Sequence, residues 1–360
     1  MNMVSLINMN STEKIPCLEG YLFSDQNEND EMWSLRLETN ENCNILCKYC
    51  YASATSRNKD KFVDLNTVKK LVEQAIPLGL KSVIFIGPGE PLLYTRLFEA
   101  LAYLNTVQIT PVIITNGTLI TEEIGKKLLA LNVSILMKYD GMNPETQDYL
   151  AGKKGTGKKI HHALSILQKI GYTNEQKLGL SFVTTKQNIS EAVDFWKFCR
   201  KNNIFPNMEH VGDEGRAKEH EELFLESGSF LQLKQQLAEI DKELGYSWDP
   251  SMPLPGIGCN QFLYSCYVSI KNKITPCAGV TWGIEYNSGT VLNEMWHSEV
   301  LTKFRETAQR EGCLIDGRYC WGCRGTAFNY WIKQGISAEK AVTMLDPDCS
   351  YCSKKNDLCC

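Results

Sequence analysis

Hydrophobic and polar positions follow two different rhythms along the middle of the chain. Short apolar runs that are typical of buried strands recur between longer segments in which apolar residues return every three or four positions, as in amphipathic helices. The runs predict strands at 33–39, 82–87, 110–115, 133–139, 178–185 and 206–211. The periodic segments predict helices at 65–76, 96–104, 121–131, 159–170 and 191–201. Asp64 and Thr121 precede two of these helices and are suited to cap them.

Repeated strand–helix units predict an α/β fold with a parallel sheet and right-handed crossovers. Six units would form a partial (β/α)6 TIM-like barrel, whose sites lie in the loops after the carboxyl ends of the strands. Beyond about residue 250 the composition shifts to Pro, Gly and Cys. We therefore divide the chain into a lead-in, a barrel, a helical linker and a small cysteine-rich domain, at 1–31, 32–217, 218–252 and 253–360.

The overall composition excludes several classes of protein. Hydrophobic residues make up 43% and charged residues 22%, which is ordinary for a globular chain. The net charge of −4 offers no electrostatic footprint for nucleic acid. No run approaches the roughly 18 apolar residues of a membrane span, and the N-terminus lacks the pattern of a signal peptide. We expect a cytoplasmic protein that binds neither nucleic acid nor membranes.

The cysteine content changes this picture. The chain has 15 cysteines, and ten of them fall between Cys259 and Cys360. A disulfide framework is disfavoured because the number is odd and no export signal is present. The clustering instead favours metal or iron–sulfur sites.

Cys43, Cys47 and Cys50 form a C-x3-C-x2-C run directly after the first predicted strand. Three thiolates can hold three irons of a [4Fe–4S] cube and leave the fourth iron open, whereas structural zinc sites and ferredoxin clusters take four protein ligands. The spacing, with Tyr49 before the last cysteine, resembles the signature of the radical S-adenosylmethionine (SAM) enzymes. This resemblance implies that SAM chelates the open iron, receives an electron from the cluster and splits into methionine and a 5′-deoxyadenosyl radical.

Three later strand ends extend the resemblance. Gly87-Pro88-Gly89-Glu90-Pro91 is similar to the Gly-Gly-Glu-Pro segment of the family, with Pro88 as a departure. The third and fourth strand ends also resemble those of the family. They carry Thr115-Asn116-Gly117 and Lys138-Tyr139-Asp140-Gly141, and Lys138 replaces a serine that commonly touches SAM. Asp140 serves either the turn or the site. The resemblance implies SAM contacts from Tyr49, Gly87, Gly89, Glu90, Pro91, Thr115, Asn116 and Lys138.

Other polar residues near strand ends are candidates for proton transfer. We single out Glu209 and Asp213 as the acid and base, with Glu38, Tyr139, His210 and Arg216 as further candidates. The glycine-rich segment 152–158 is checked as a phosphate loop and rejected, because Lys159 stands where the Walker pattern needs Ser or Thr.

The C-terminal cysteines resemble the SPASM and twitch extensions of radical SAM enzymes, which hold auxiliary [4Fe–4S] clusters; a zinc ribbon is the alternative. The single-cluster twitch pattern implies one site from Cys259, Cys277, Cys320 and Cys323. The SPASM pattern implies a first site from Cys259, Cys266, Cys277 and Cys323 and a second from Cys313, Cys320, Cys349 and Cys352. We prefer two clusters because eight cysteines complete two shells.

The resemblance implies hydrogen abstraction from a peptide or protein, leading to crosslinking, oxidation or epimerisation, and a flavodoxin- or ferredoxin-type reductant. Ala278 stands where sulfatase-maturing relatives have Asp, which argues against that activity. Residues 1–31 are too few for the leader-binding domain of many relatives, so we expect a peptide to be recognised either without that module or through a separate leader-binding partner. A dehydrogenase or epimerase of an aminocyclitol or sugar is the alternative. A different class is a non-catalytic iron–sulfur carrier or a zinc scaffold.

Overall fold

The fold comes from a computed structural model, which describes residues 18, 30–56, 62–248, 250, 255, 261–287, 289–310, 313–315, 318–320 and 324–344. These residues fall in two compact units. The barrel unit contains Ser34–Leu225 together with Leu18, and the C-terminal unit contains Asp30–Trp33 and the described residues from Glu226 onward. None of the described helices is long and apolar enough to cross a membrane.

Six parallel strands form the sheet of the barrel unit, and their order in space follows their order in the chain. They are β1 (Ser34–Glu38), β2 (Ser82–Ile86), β3 (Thr110–Thr115), β4 (Ser134–Lys138), β5 (Leu178–Thr184) and β6 (Phe205–His210). Such an order results when each right-handed crossover places the next strand beside the last. The predicted α/β class with a partial TIM-like barrel is confirmed.

The connecting helices are α1 (Leu65–Ala75), α2 (Leu97–Thr106), α3 (Glu122–Ala130), α4 (Pro144–Ala151), α5 (Thr156–Lys169) and α6 (Ala192–Lys201). Asp64 and Thr121 cap α1 and α3 through their side-chain oxygens, as predicted. Helix α4 is absent from the sequence prediction because it is short and weakly amphipathic. Asn143 caps it, Pro144 starts it, and Gly152 ends it with φ = +62°.

The C-terminal unit is a set of short elements. Its helices are α7 (Ser229–Glu243), α8 (Gln261–Tyr264), α9 (Leu292–Trp296), α10 (Glu299–Arg310), α11 (Arg324–Lys333) and α12 (Ala338–Ala341). Its strands are β7 (Ser265–Val268), β8 (Lys273–Thr275), β9 (Ile284–Glu285), β10 (Cys313–Ile315) and β11 (Arg318–Cys320), all in antiparallel pairs. Phe304 packs edge-on against Phe262 and Phe328 at centroid distances of 5.6 and 5.7 Å, which forms an aromatic core. A cavity of about 500 Å³ along α7 is lined by none of the predicted site residues.

Asp30 is expected to stabilise the C-terminal unit through Arg305. The buried guanidinium donates to both carboxylate oxygens of Asp30, at 2.6 and 2.7 Å, and lies 3.8 Å from the Trp296 ring. We expect Asp30→Asn to lower the free energy of unfolding by about 2 kcal/mol, because the buried charge of Arg305 loses its carboxylate partner. The loss is smaller than for a fully buried pair because Asp30 is half-exposed. Asn tolerates the positive φ of this position. Urea unfolding measures the change, and Glu299→Gln, which breaks the exposed pair with Lys303, is the control. Equal stability of the two variants would contradict the prediction.

Candidate active site

The loop after β1 brings the three predicted cluster cysteines together. Cys43 donates its backbone N–H to the Thr55 carbonyl at 3.1 Å, and Cys50 donates to the Cys47 carbonyl at 3.2 Å, so the loop closes on itself. All three thiols are partly buried. Cys50 lies close enough to Cys43 and Cys47 for its charge to add to the rise that burial causes in their pKa values. The structure therefore places the three predicted cysteines beside one another, in the loop at the carboxyl end of β1.

Arg216, which lies 169 positions after Cys47 in the chain, contacts this loop directly. Its guanidinium donates to the Cys47 and Ala54 carbonyls, both at 2.6 Å, and its backbone N–H donates to the Cys50 carbonyl at 2.9 Å. Gly215 makes the approach possible: its φ is +59°, and a Cβ atom there would lie 2.3 Å from the Cys50 carbonyl oxygen. The sequence suggests Arg216 as an acid–base group, but its hydrogen bonds make it a positioning residue.

We expect Arg216→Met to disturb the metal site more than the fold. The loop would lose two charge-assisted hydrogen bonds that fix its carbonyls, so we expect a shifted EPR spectrum and at least about half of the reconstituted iron to be lost. Arg216→Lys should restore part of the iron, because an ammonium can reach only one carbonyl well. Thermal unfolding is the control measurement. A normal spectrum in both variants would contradict the positioning role.

The cysteine loop fits a cube better than a single metal ion. Within the described residues, no three His, Cys, Asp or Glu side chains are arranged to ligate one metal ion. A cube binds each cysteine at a different iron, so it requires thiols that are neighbours without converging on one point. Burial raises the pKa of Cys43 to about 11 and raises the pKa of Cys47 further. The thiols of Cys43 and Cys47 therefore favour the neutral form, and both would have to lose their protons to hold a cluster.

The Gly87–Pro91 loop is tied to the segment that leads into the cysteines. Gly89 donates its N–H to the Asn40 carbonyl at 3.0 Å, and Glu90 donates to the Asn42 carbonyl at 2.8 Å. A Cβ atom on Gly89 would lie 2.1 Å from Asn40 Oδ1, so a side chain has no room here. The geometry explains why this position requires glycine. Tyr51 donates its hydroxyl to the Gly87 carbonyl at 3.1 Å and completes this side of the site.

Both carboxylate oxygens of Glu90 accept hydrogen bonds from other groups of the protein. One oxygen accepts from the Thr115 hydroxyl at 2.6 Å and from the Leu92 N–H at 3.0 Å, and the other accepts from the Asn116 N–H at 2.8 Å. Burial raises the pKa of Glu90, while these hydrogen bonds act in the opposite direction. Glu90 and Thr115 thus join the ends of β2 and β3, and their side chains face each other.

Asn116 connects the end of β3 with the cysteine loop. Its amide donates to Asn44 Oδ1 at 2.9 Å and lies 3.8 Å from Cys43 Sγ, while its oxygen accepts from the Thr118 N–H at 2.9 Å. Hydrogen bonds to cysteine sulfurs tune the potential of a bound cluster. Asn116 is therefore placed to act on the metal site.

Asp140 is the centre of a buried network at the end of β4. Its carboxylate accepts from the Tyr49 hydroxyl and from the Val183 N–H at 2.8 Å, and Lys138 Nζ lies 3.8 Å away. Burial and the charge of Asp140 raise the pKa of Tyr49 well above its usual value. Of the two roles left open for Asp140, the structure supports a site role: it fixes Tyr49 beside the last cysteine.

A polar row runs from the carboxyl end of β4 across the middle of β5 and β6. Lys138 Nζ donates to Ser181 Oγ at 3.2 Å. The amide of Asn207 donates to Ser181 Oγ at 3.4 Å and to the Glu209 carboxylate at 2.9 Å. The register pairs Lys138 with Ser181 and Ser181 with Asn207, so the row follows from strand pairing. Glu209 is exposed at its end.

The remaining acid–base candidates divide between the edge of the sheet and the helices. Asp213 is exposed beyond β6, and Glu38 and His210 are partly buried at the ends of β1 and β6. Tyr139 faces the helices instead, because successive strand residues point to opposite faces. Its ring stacks on His161 of α5 at 4.9 Å and on Phe195 of α6 at 6.4 Å.

The C-terminal cysteines are partly described. Cys266 is buried in β7, where burial raises its pKa to about 12, and Cys277 is partly buried against the aromatic core. Cys313 and Cys320 are Cα partners in the β10–β11 pair. Four of the predicted auxiliary ligands lie outside the described residues: Cys259, Cys323, Cys349 and Cys352.

Comparison with known proteins assigns the barrel. The model of the radical SAM superfamily matches residues 37–199, from β1 to α6. Residues 37–199 are a radical SAM domain. The match includes the cysteine loop, the Gly87–Pro91 loop and Lys138, and the superfamily implies a [4Fe–4S] cluster used with SAM. The protein is an enzyme with a radical SAM domain.

The chain is similar to proteins with different named activities. An AdoMet-dependent heme synthase of Methanosarcina barkeri is 25% identical over 81% of this chain and 90% of its own length. The mycofactocin maturase MftC of Mycolicibacterium smegmatis is 24% identical over 85% of this chain and 80% of its own. Among solved structures, SuiB of Streptococcus suis bound to the precursor peptide SuiA has a TM-score of 0.61 and 16% identity, covering 80% of this chain and 69% of SuiB. The structural likeness shows the fold alone.

Proposed function

We propose that the protein removes a hydrogen atom from a peptide substrate, as a step in crosslinking, oxidation or epimerisation of that peptide. SAM bound at the cysteine loop would supply the 5′-deoxyadenosyl radical that takes the hydrogen. The protein's own residues position the substrate carbon and exclude water from the site. The likeness to the maturase MftC and the peptide bound to SuiB support a peptide.

The observation that carries this proposal is the polar row from Ser181 through Asn207 to Glu209, beside Lys138. A hydroxyl, an amide and a carboxylate suit a peptide, whose groups both donate and accept hydrogen bonds. Tetrapyrrole precursors of haem carry several carboxylates and call for several cations, whereas the row from Ser181 to Glu209 contains none. The likeness to the heme synthase nevertheless makes a tetrapyrrole the second candidate.

We further propose roles for individual site residues. Lys138 would pair with the carboxylate of SAM, with Tyr49, Gly87 and Asn116 lining the same site and Glu90 and Thr115 holding it in shape. Gly89 and Pro91 would fix the backbone conformation of the Gly87–Pro91 loop. Glu209 and Asp213 are the exposed acids nearest the strand ends, and we propose them for proton transfer to or from the substrate.

We also propose residues 253–360 as a SPASM-type domain with two auxiliary clusters. The β7–β8 register pairs Tyr267 with Thr275, which brings Cys266 and Cys277 to the same end of that pair. Cys313 and Cys320 are direct partners, which suits the two-cluster pattern, because it places them in one site. A separate leader-binding partner and a small electron carrier would complete the system.

The transfer of deuterium from substrate to 5′-deoxyadenosine tests the function. The anaerobically reconstituted enzyme should hold about twelve irons if it carries three cubes. It should then form 5′-deoxyadenosine that contains deuterium from a deuterated peptide encoded beside its gene. The matched arm uses a deuterated haem precursor. Deuterium from the tetrapyrrole alone would replace the peptide proposal with the second candidate, and zinc in place of iron would refute both.

A further inference from the structure

A lysine-rich turn packs directly against the cysteine loop. Leu46 donates its N–H to the Ala151 carbonyl at 3.1 Å, and Lys48 donates to the Leu150 carbonyl at 2.9 Å, so the end of α4 pairs with the loop between two cluster cysteines. Lys153 Nζ donates to the Asn44 carbonyl at 2.8 Å. A Cβ atom on Gly152 would lie 2.3 Å from the Leu46 carbonyl oxygen. Residues 150–153 therefore lie against the cluster loop at backbone distance, and residues 154–159 lead from there into the first turn of α5.

This surface is basic although the whole chain is acidic. The segment Gly-Lys-Lys-Gly-Thr-Gly-Lys-Lys at 152–159 has four lysines and no acid, in a chain of net charge −4. All four lysines are exposed. The nearest acid on α4, Asp148, accepts from the Gly155 and Gly157 N–H groups at 2.6 and 2.7 Å, and these bonds keep its carboxylate on the backbone. The positive charge of the turn thus faces solvent.

The same surface exposes apolar groups. Leu46, between Cys43 and Cys47, is 46% exposed, and Tyr149 on α4 is 40% exposed, which places both among the most exposed large hydrophobic residues that the structure describes. Lys48 Nζ lies 4.4 Å from the Tyr149 ring centroid and 3.7 Å from Glu222, so the apolar groups sit within a charged rim. An apolar centre with a charged rim is the composition of a protein-binding surface.

We propose that Leu46, Lys48, Tyr149 and the turn 152–159, together called the lysine turn, form the docking surface for an acidic protein that delivers single electrons to the cluster. The inference rests on the proposed function, because only an enzyme that reduces SAM needs this electron. The donor's reduced flavin loses one electron and the cluster gains it, with no covalent bond formed or broken. Charge complementarity selects an acidic partner, and the Leu46 position brings that partner next to the cluster ligands.

Charge reversal in the lysine turn tests this proposal. The double variant Lys154→Glu/Lys158→Glu leaves the Lys153 contact with Asn44 intact. Its matched control is Lys197→Glu/Lys201→Glu, the same charge change at exposed positions near the C-terminal end of α6. That end precedes β6, so it lies at the amino edge of the sheet, opposite the cysteine loop.

Each protein is reconstituted anaerobically, and its cluster absorbance is followed after mixing with a reduced flavodoxin or with dithionite. We expect the ratio of the flavodoxin rate to the dithionite rate to fall about tenfold in Lys154→Glu/Lys158→Glu at low ionic strength and to stay unchanged in the control. Added salt should slow the flavodoxin reaction of the native enzyme and reduce the difference.

A native ratio in the Lys154→Glu/Lys158→Glu variant, or a native rate that does not depend on salt, would overturn the proposal. Loss of peptide binding with an unchanged flavodoxin rate would assign the lysine turn to an acidic peptide and overturn it as well. The readout is cluster reduction rather than SAM cleavage. A protein that takes electrons normally but forms no 5′-deoxyadenosine would therefore refute the proposed function and leave the docking surface supported.

Discussion

Replacing Cys47 with alanine should abolish SAM cleavage and remove about four of the reconstituted irons. Cys47 lies between the other two cysteines in the loop, and Arg216 fixes its carbonyl at 2.6 Å. Two cysteines cannot hold a cube in which three irons need protein thiolates. We expect the rate of 5′-deoxyadenosine formation to fall at least about a thousandfold, which is the scale for losing an essential member of a catalytic unit.

The control for this loss is Cys199→Ala in the same unit. Cys199 is fully buried in α6, and burial raises the pKa of its thiol, as for an ordinary core cysteine. Its replacement removes a small side chain from the core and should leave iron content and SAM cleavage intact. Iron counting, EPR and chromatography of 5′-deoxyadenosine measure both variants. Similar losses in the two would show that misfolding, rather than a missing ligand, explains the Cys47 result.

The parts of the site that follow a single strand end are the parts that the sequence predicts well. A buried parallel strand produces an apolar run, and the loop after it lies at the carboxyl edge of the sheet, so Cys43, Asn116 and Lys138 could be placed there from the pattern alone. Strand bounds agree to within one or two residues; the pattern predicts β2 at 82–87, and the strand is Ser82–Ile86. The local pattern carries this information because each strand–helix unit repeats the same geometry.

Contacts between distant segments could not be predicted in the same way. Arg216 reaches Cys47 across 169 positions of the chain, and no periodicity links them. Asp140 accepts a hydrogen bond from Tyr49 only because the carboxyl ends of β1 and β4 lie at the same edge of the sheet. The sequence offers one signal for Arg216, the glycine directly before it. The structure shows why: Gly215 has a positive φ, which allows a close approach to the backbone of the cysteine loop. The segment 152–158 lacks the Walker pattern, and its contact with the cysteine loop could not be predicted without the fold.

Replacing Lys138 with methionine should weaken SAM binding about 30-fold while leaving the iron content unchanged. The ammonium is held on one side by Ser181 at 3.2 Å and Asp140 at 3.8 Å, and it lies 5.3 Å from the centroid of the Tyr49 ring. Burial raises the pKa of Cys47 and the charge of Lys138 acts in the opposite direction, which places Lys138 next to the cysteine loop. A fixed, largely buried cation there matches the carboxylate of SAM, and a serine, as many relatives carry, offers a weaker neutral donor.

The series Lys138→Met, Lys138→Ser and Lys138→Arg separates these contributions. Serine should recover part of the affinity through its hydroxyl, and arginine should recover more through its charge, although its larger head group strains the contact with Ser181. The KM for SAM should follow this order while kcat changes less, and Lys197→Met on the surface of α6 is the control. An unchanged KM for SAM with a fall in substrate turnover would contradict the SAM assignment. It would move Lys138 to the substrate side of the polar row, where Asn207 and Glu209 already lie, and the row would then act on the substrate as a whole.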